Sequence, residues 1–235
     1  MKGWISLLGV LAVSLPAAEP AGTAGPLLLA DDFRHGLAGW VVEQQPGGAV
    51  TVDNGGLVIN DAAGCTVWLR RCLEGPVLIT YAARVSPAGR VSDLNCFWMA
   101  CDPARPDDLF APGHSRDGRF ASYDSLRTYY VGYGGNNNTT TRFRRYDGRG
   151  ARPLRPEHDL AAREFLLQPD HEYRIALLVA ADGRVQFIRD GTVVFDWRDP
   201  EPLRRGWFGF RTVHSRIELR DFQVHALNPP GTAGR

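Results

Sequence analysis

Between Tyr129 and Tyr146 the chain reads YYVGYGGNNNTTTRFRRY, which gathers tyrosines, an Asn/Thr run and the arginines Arg142, Arg144 and Arg145 into one short stretch. Tyrosine offers an apolar face with a polar tip, amides and hydroxyls donate and accept, and the planar guanidinium fork grips a carboxylate at two points. A ligand rich in hydroxyls and carrying a carboxylate would use all three. The competing reading is a hairpin whose arginines are merely solvated, since exposed arginines are ordinary.

These side chains converge only if the backbone alternates. Successive strand residues point to opposite faces. Tyr129, Val131 and Tyr133 then share one face of a first strand, and Gly-Gly-Asn-Asn-Asn makes the turn. Arg142, Arg144 and Tyr146 share a face of the returning strand, with Thr141, Phe143 and Arg145 on the other. In GWFGFRT, Phe208 and Phe210 alternate into a core, leaving Trp207, Gly209 and Arg211 opposite. In SDLNCFWMACDP, Asn95 could face either way and Trp98 is either a core residue or a stacking surface. The binding candidates are Asn95, Trp98, Asn136, Asn138, Arg142, Arg144 and Arg211.

Two reactions can be weighed against this supply. Hydrolysis by carboxylates at alternate positions of one strand, as in a Glu-x-Asp-x-Glu run, is disfavoured because the chain lacks such a run and Glu218 and Asp221 have the wrong parity; carboxylates from separate strands stay open. Elimination from a uronic acid needs a neutralised carboxylate and a nearby base. Tyr133, Tyr146 or His214 could take the proton. A noncatalytic binding site would use the same residues, so composition leaves enzyme and lectin both open, with β-elimination ahead of hydrolysis.

The rest of the chain sets the setting. Lys2, the apolar run Trp4 to Leu15 and small residues through Ala24 have the three-part form of a secretory signal peptide. Cleavage is expected within Ala17 to Ala24, with Gly22-Thr23-Ala24 as one candidate, and the protein is expected in the periplasm or secreted. This divides the chain into a leader at 1–24, one domain at 25–228 and a disordered tail at 229–235. A formal net charge of +1 argues against a nucleic-acid or membrane-surface partner, and a saccharide is expected instead. Cys65, Cys72, Cys96 and Cys101 lack a CxxC pair, so zinc is not expected. Their disulfide pairing stays open, and some or all could be small buried residues. No cofactor is expected. Asp32 and Asp221 could hold a structural calcium near the chain ends, with a turn cap as the simpler reading. The long loop Cys101 to Ser125 invites a functional reading.

From Leu27 onward short strands alternate with turn signals, and Asp190-Gly191 marks a tight hairpin. Helical periodicity is confined to Glu157–Phe165. Asp32-Phe33 with Trp40 at one end, and YRIALLVAADGRVQFIRDGTVVFDW, GWFGFRT and IELRDFQV at the other, are similar to the pattern of concanavalin-A-like jelly rolls. The segments SDLNCFWMACDP and YYVGYGGNNNTTTRFRRYDG resemble an exported family, the domain of unknown function 6250, itself similar to YesU-like proteins of pectic polysaccharide breakdown. The resemblance implies an all-β sandwich of two antiparallel sheets and a carbohydrate ligand, preferably uronate-containing. Far-ultraviolet circular dichroism should accordingly be dominated by strand; a helix content above about a third would exclude the sandwich.

Overall fold

The structure is a computed structural model that describes residues 18–231. The leader through residue 17 and residues 232–235, the end of the expected tail, lie outside the described residues. The chain forms two antiparallel sheets packed face to face.

The first sheet comprises β1 (Thr23–Asp31), β3 (Ala49–Asp53), β4 (Gly56–Asn60), β7 (Val77–Val85), β12 (Glu172–Val179), β13 (Arg184–Arg189), β14 (Thr192–Arg198) and β16 (Arg216–Asn228). Its order is β14-β13-β12-β7-β16-β4-β3, with β1 also on β16. The second comprises β2 (Trp40–Gln44), β5 (Cys65–Leu69), β6 (Leu73–Glu74), β8 (Asn95–Cys101), β9 (Arg127–Gly134), β10 (Thr140–Asp147), β11 (Asp159–Leu160) and β15 (Arg205–Thr212). It runs β11-β10-β9-β8-β15-β5-β2, with β6 also on β15. β1 begins two residues before the domain start expected at residue 25. The helix suggested at Glu157–Phe165 is instead two 3-10 turns around the short strand β11, because Asp159 pairs with Arg142 across the sheet.

Period-two alternation builds the inter-sheet core. Phe210 is buried against Trp40 at 5.4 Å, Tyr81 at 5.0 Å and Phe208 at 4.7 Å between ring centroids. Asp31 fixes the opening turn, its carboxylate accepting from the Phe33 amide at 2.7 Å and Trp40 Nε1 at 2.8 Å. Cys65 and Cys96 are buried free thiols, Cys96 pushed up to about 12 by burial; Cys72 and Cys101 are free and half-buried. Asp32 caps the Arg34 amide and Asp221 pairs with Arg174. Among the described residues no group of three or more His, Cys, Asp or Glu could hold a metal ion.

A second apolar cluster lies on the other face of the second sheet. Trp68, Phe97, Tyr130, Tyr146 and Trp207 pack there against Leu109, Tyr123 and Leu126 of the long loop and its exit. The loop is fastened by a buried pair. Glu43 accepts from Arg116 Nε at 3.2 Å and Trp68 Nε1 at 2.9 Å, and Arg116 Nη2 also donates to the Leu109 carbonyl at 2.5 Å. Such a pair persists in the interior because every charge has partners. Replacing Phe210 with Ala should lower the free energy of unfolding by about 3–5 kcal/mol, read from denaturant titration, because its aromatic neighbours cannot close the void.

Candidate functional site

The hairpin forms as β9 and β10. Its turn places Asn136, Asn137 and Asn138 at φ of 53°, 58° and 60°, a left-handed region that Asn tolerates better than most residues. Gly134 is required by close approach, since a Cβ there would lie 2.3 Å from Leu167 Cδ1. In the register, Arg142 is opposite Gly132 and Arg144 opposite Tyr130. β8 sets Phe97 opposite Tyr130, and β15 sets Arg211 opposite Asn95. Four adjacent strands therefore bring Arg142, Arg144, Tyr130, Gly132, Asn95 and Arg211 to one face. With Arg90, Asp93, Asn136 and Phe120 they line a cleft of about 300 Å³.

The arginines are not equivalent. Arg142 is already occupied: its Nε and Nη2 donate to the two Asp159 carboxylate oxygens at 2.8 and 3.1 Å. Arg90 holds Asp93 at 2.5 Å and Asn137 Oδ1 at 2.6 Å. Arg144 donates to the Arg152 carbonyl, and burial lowers its pKa. Arg211 is fully buried. Its Nη1 donates to Thr66 Oγ1 and the Gly118 carbonyl, both at 3.0 Å, and its guanidinium lies 4.9 Å from the ring centroids of Phe120 and Tyr123. Its Nε and Nη2 have no hydrogen-bond partner among the described residues. Neither Arg144 nor Arg211 has a carboxylate partner there. Among the described residues Asp93 is the single carboxylate lining the cleft, so the potential is positive and the described lining lacks the two-carboxylate arrangement of a glycosidase.

Tyr130 stands in the middle. Gly132 leaves room for it, as a Cβ there would meet the Tyr130 ring and hydroxyl at 3.2–3.3 Å. Burial holds its phenol well above the usual value, opposed by the Arg211 charge. Asn95 donates to Asp93 at 3.2 Å and keeps an unpartnered Oδ1.

Several expected site residues lie elsewhere. Trp98 is in the inter-sheet core, 5.5 Å from Tyr129 and 5.8 Å from Phe143. Tyr133 faces the same core, against Tyr173 at 5.2 Å, with its hydroxyl 3.3 Å from Arg189; its parity opposes that of Arg142 and Arg144. Asn138 clamps Leu167, accepting from its amide and donating to its carbonyl, each at 2.8 Å. Tyr146 shares the arginine face but is fully buried among aromatics, its phenol raised by burial. His214 is exposed in the turn beyond Val213, its amide donating to Asp61 at 3.0 Å, and it does not line the cleft. Tyr130, Phe120, Arg90 and Asp93 are among the lining residues that sequence reading missed. Strict alternation from Tyr129 and Tyr133 was the available signal for Tyr130.

The structure is similar to a Bacillus subtilis protein of unknown function with a galectin-like fold, at a TM-score of 0.69 and 22% identity over 88% of this chain and 99% of that one. It is also similar to the carbohydrate binding module CBM66 from Bacillus subtilis, at a TM-score of 0.57 and 10% identity over 81% and 98%. An endo-β-1,3-glucanase from Pyrococcus furiosus matches at 0.56 and 10% over 86% and 95%. At these identities the likeness is one of fold, a jelly-roll sandwich shared by carbohydrate-binding modules and glycoside hydrolases. A search of curated protein sequences finds no match. The profile of one family matches residues 59–222, most of the two sheets and all of the cleft lining, and the chain belongs to that family, the domain of unknown function DUF6250.

Proposed function

We propose that the protein is exported and binds an acidic saccharide, a uronate-containing oligosaccharide or polysaccharide, in this cleft. One observation supports the reading most directly: two arginines line the cleft without a carboxylate partner among the described residues, the half-buried Arg144 and the fully buried Arg211 that lies against the Phe120 ring. An unpaired interior cation is expensive, and an anion is what offsets it. Arg144 adds a second charge, Phe120 and Tyr130 supply faces for a sugar ring, and Asn95 Oδ1 can accept from a hydroxyl. The fold neighbours, among them a carbohydrate binding module, agree with a sugar ligand.

A second reading, β-elimination, is favoured by Tyr130. The residue is opposite Arg144 in the register, its ring and hydroxyl lie over Gly132, and its phenol is within the field of Arg211. In that reaction the positive lining would neutralise the uronate carboxylate, making the adjacent carbon acid stronger; the Tyr130 oxygen would take that carbon's proton while its own phenolic proton passes to the departing glycosidic oxygen. Tyr130 replaces Tyr133, Tyr146 and His214 as the candidate base, since none of those three lines the cleft.

Replacing Arg144 with Ala should weaken uronate oligosaccharide binding by about 1.5–3 kcal/mol in calorimetry. A carboxyl-reduced oligosaccharide should bind the parent with a similar loss and show little further loss with the variant. Equal binding of parent and variant would remove Arg144 from the site. Elimination creates a double bond conjugated to the carboxylate, so ultraviolet absorbance should rise with pectic, algal or glucuronate-containing polymers. Tyr130→Phe should then abolish turnover with affinity nearly intact. Binding without absorbance would leave a binding protein.

A further inference from the structure

Within the stretch Ala17 to Ala24 expected for leader removal, Gly22-Thr23-Ala24 carries a small-x-small pair, whereas Ala17 and Ala18 are small residues without such a pair before them. The fold separates them. Residues 19–22 lie across the outer face of the first sheet as a strap. The Ala21 amide donates to Gln186 Oε1 at 2.7 Å, and Gln186 Nε2 donates to the Glu19 carbonyl at 3.0 Å. Gln186 is fully buried on β13, so these two bonds satisfy both ends of an amide with no access to water. Ala21 is itself buried in a cluster with Leu78, Leu178, Ile188 and Leu227. Gly22 is pressed so closely on the last strand that a Cβ would lie 2.4 Å from the Asn228 carbonyl. Thr23 and Ala24 already pair with Asn228 and Leu227 as the first residues of β1.

A cut after Ala24 would remove the strap, break the start of β1, strip the Gln186 amide of both its partners and uncover the apolar patch. A cut before Glu19 removes none of these. We propose that the leader is removed after Ala17 or Ala18, so that the mature chain begins at Ala18 or Glu19 and carries the strap as part of its fold. The step is hydrolysis by a signal peptidase of the exporting cell. Water adds across one peptide bond, its oxygen completing the new carboxylate and a proton the new amine. The proposal rests on the export reading above.

The test is the intact mass and N-terminal sequence of the full 235-residue chain recovered after expression in an exporting bacterium. A product beginning at Ala18 or Glu19 is expected. One beginning at Gly25 overturns the cleavage position while leaving export standing, and an uncut chain kept in the cytoplasm overturns both. In the exported protein the Ala21 amide should be protected from hydrogen exchange, and Gln186→Ala should reduce that protection about tenfold or more without moving the cut. An unprotected Ala21 amide in the parent would show that the strap is not held, and would overturn the argument.

Discussion

The cleft depends on a loop being pinned to a sheet. Residues 102–126 cross the outer face of the second sheet, and the Glu43–Arg116 pair, buried with Trp68 as a third member, holds them there. The loop delivers Tyr123 to the aromatic cluster, Phe120 to the cleft wall and the Gly118 carbonyl to Arg211. Without it, Tyr130, Phe97 and Trp68 would form an exposed apolar patch of the kind folded domains seldom leave open. A loop of this length is therefore half of a second small core, and the cleft is the part of that face it leaves uncovered.

The charges fall into two groups. Arg90, Arg116 and Arg142 are each answered by a carboxylate and fix backbone positions: the approach to β8, the long loop and the edge strand β11. Arg144 and Arg211 are answered by carbonyls, a hydroxyl and aromatic faces. Those contacts orient a guanidinium, each ring adding about 2 kcal/mol where it is desolvated, but they do not cancel its charge. The division separates arginines that build the sandwich from arginines that give its outer face a positive field.

Much of this was legible in the sequence, for identifiable reasons. β7 was readable to the residue because Val77–Val85 is a long β-branched and apolar run ending at Ser-Pro. Alternation around Phe208 and Phe210 was enough to put Arg211 on the face away from the core. Long-range pairing was not readable: Asp159 is 17 residues from Arg142, and nothing local says that the fork is already filled. Trp98 is one of six tryptophans, and parity alone cannot say which side of a strand is core when both faces carry aromatic clusters. The same ambiguity promoted Tyr133 over Tyr130, since the face of each follows from a register that the Gly-Gly-Asn-Asn-Asn turn sets only when folded. β1 was hidden by Gly25 and Pro26, which read as leader and loop.

The Arg142–Asp159 pair has an effect beyond the site. β10 would otherwise end the second sheet with a row of open amides and carbonyls, eight residues long and ready to accept a strand from another chain. Asp159 and Leu160 cover Thr141 and Arg142 of that row with a two-residue strand, too short to propagate pairing outward, and the bidentate ion pair fastens it in place. The arginine thus keeps one end of the β10 edge covered, where an open row would invite a strand from another chain.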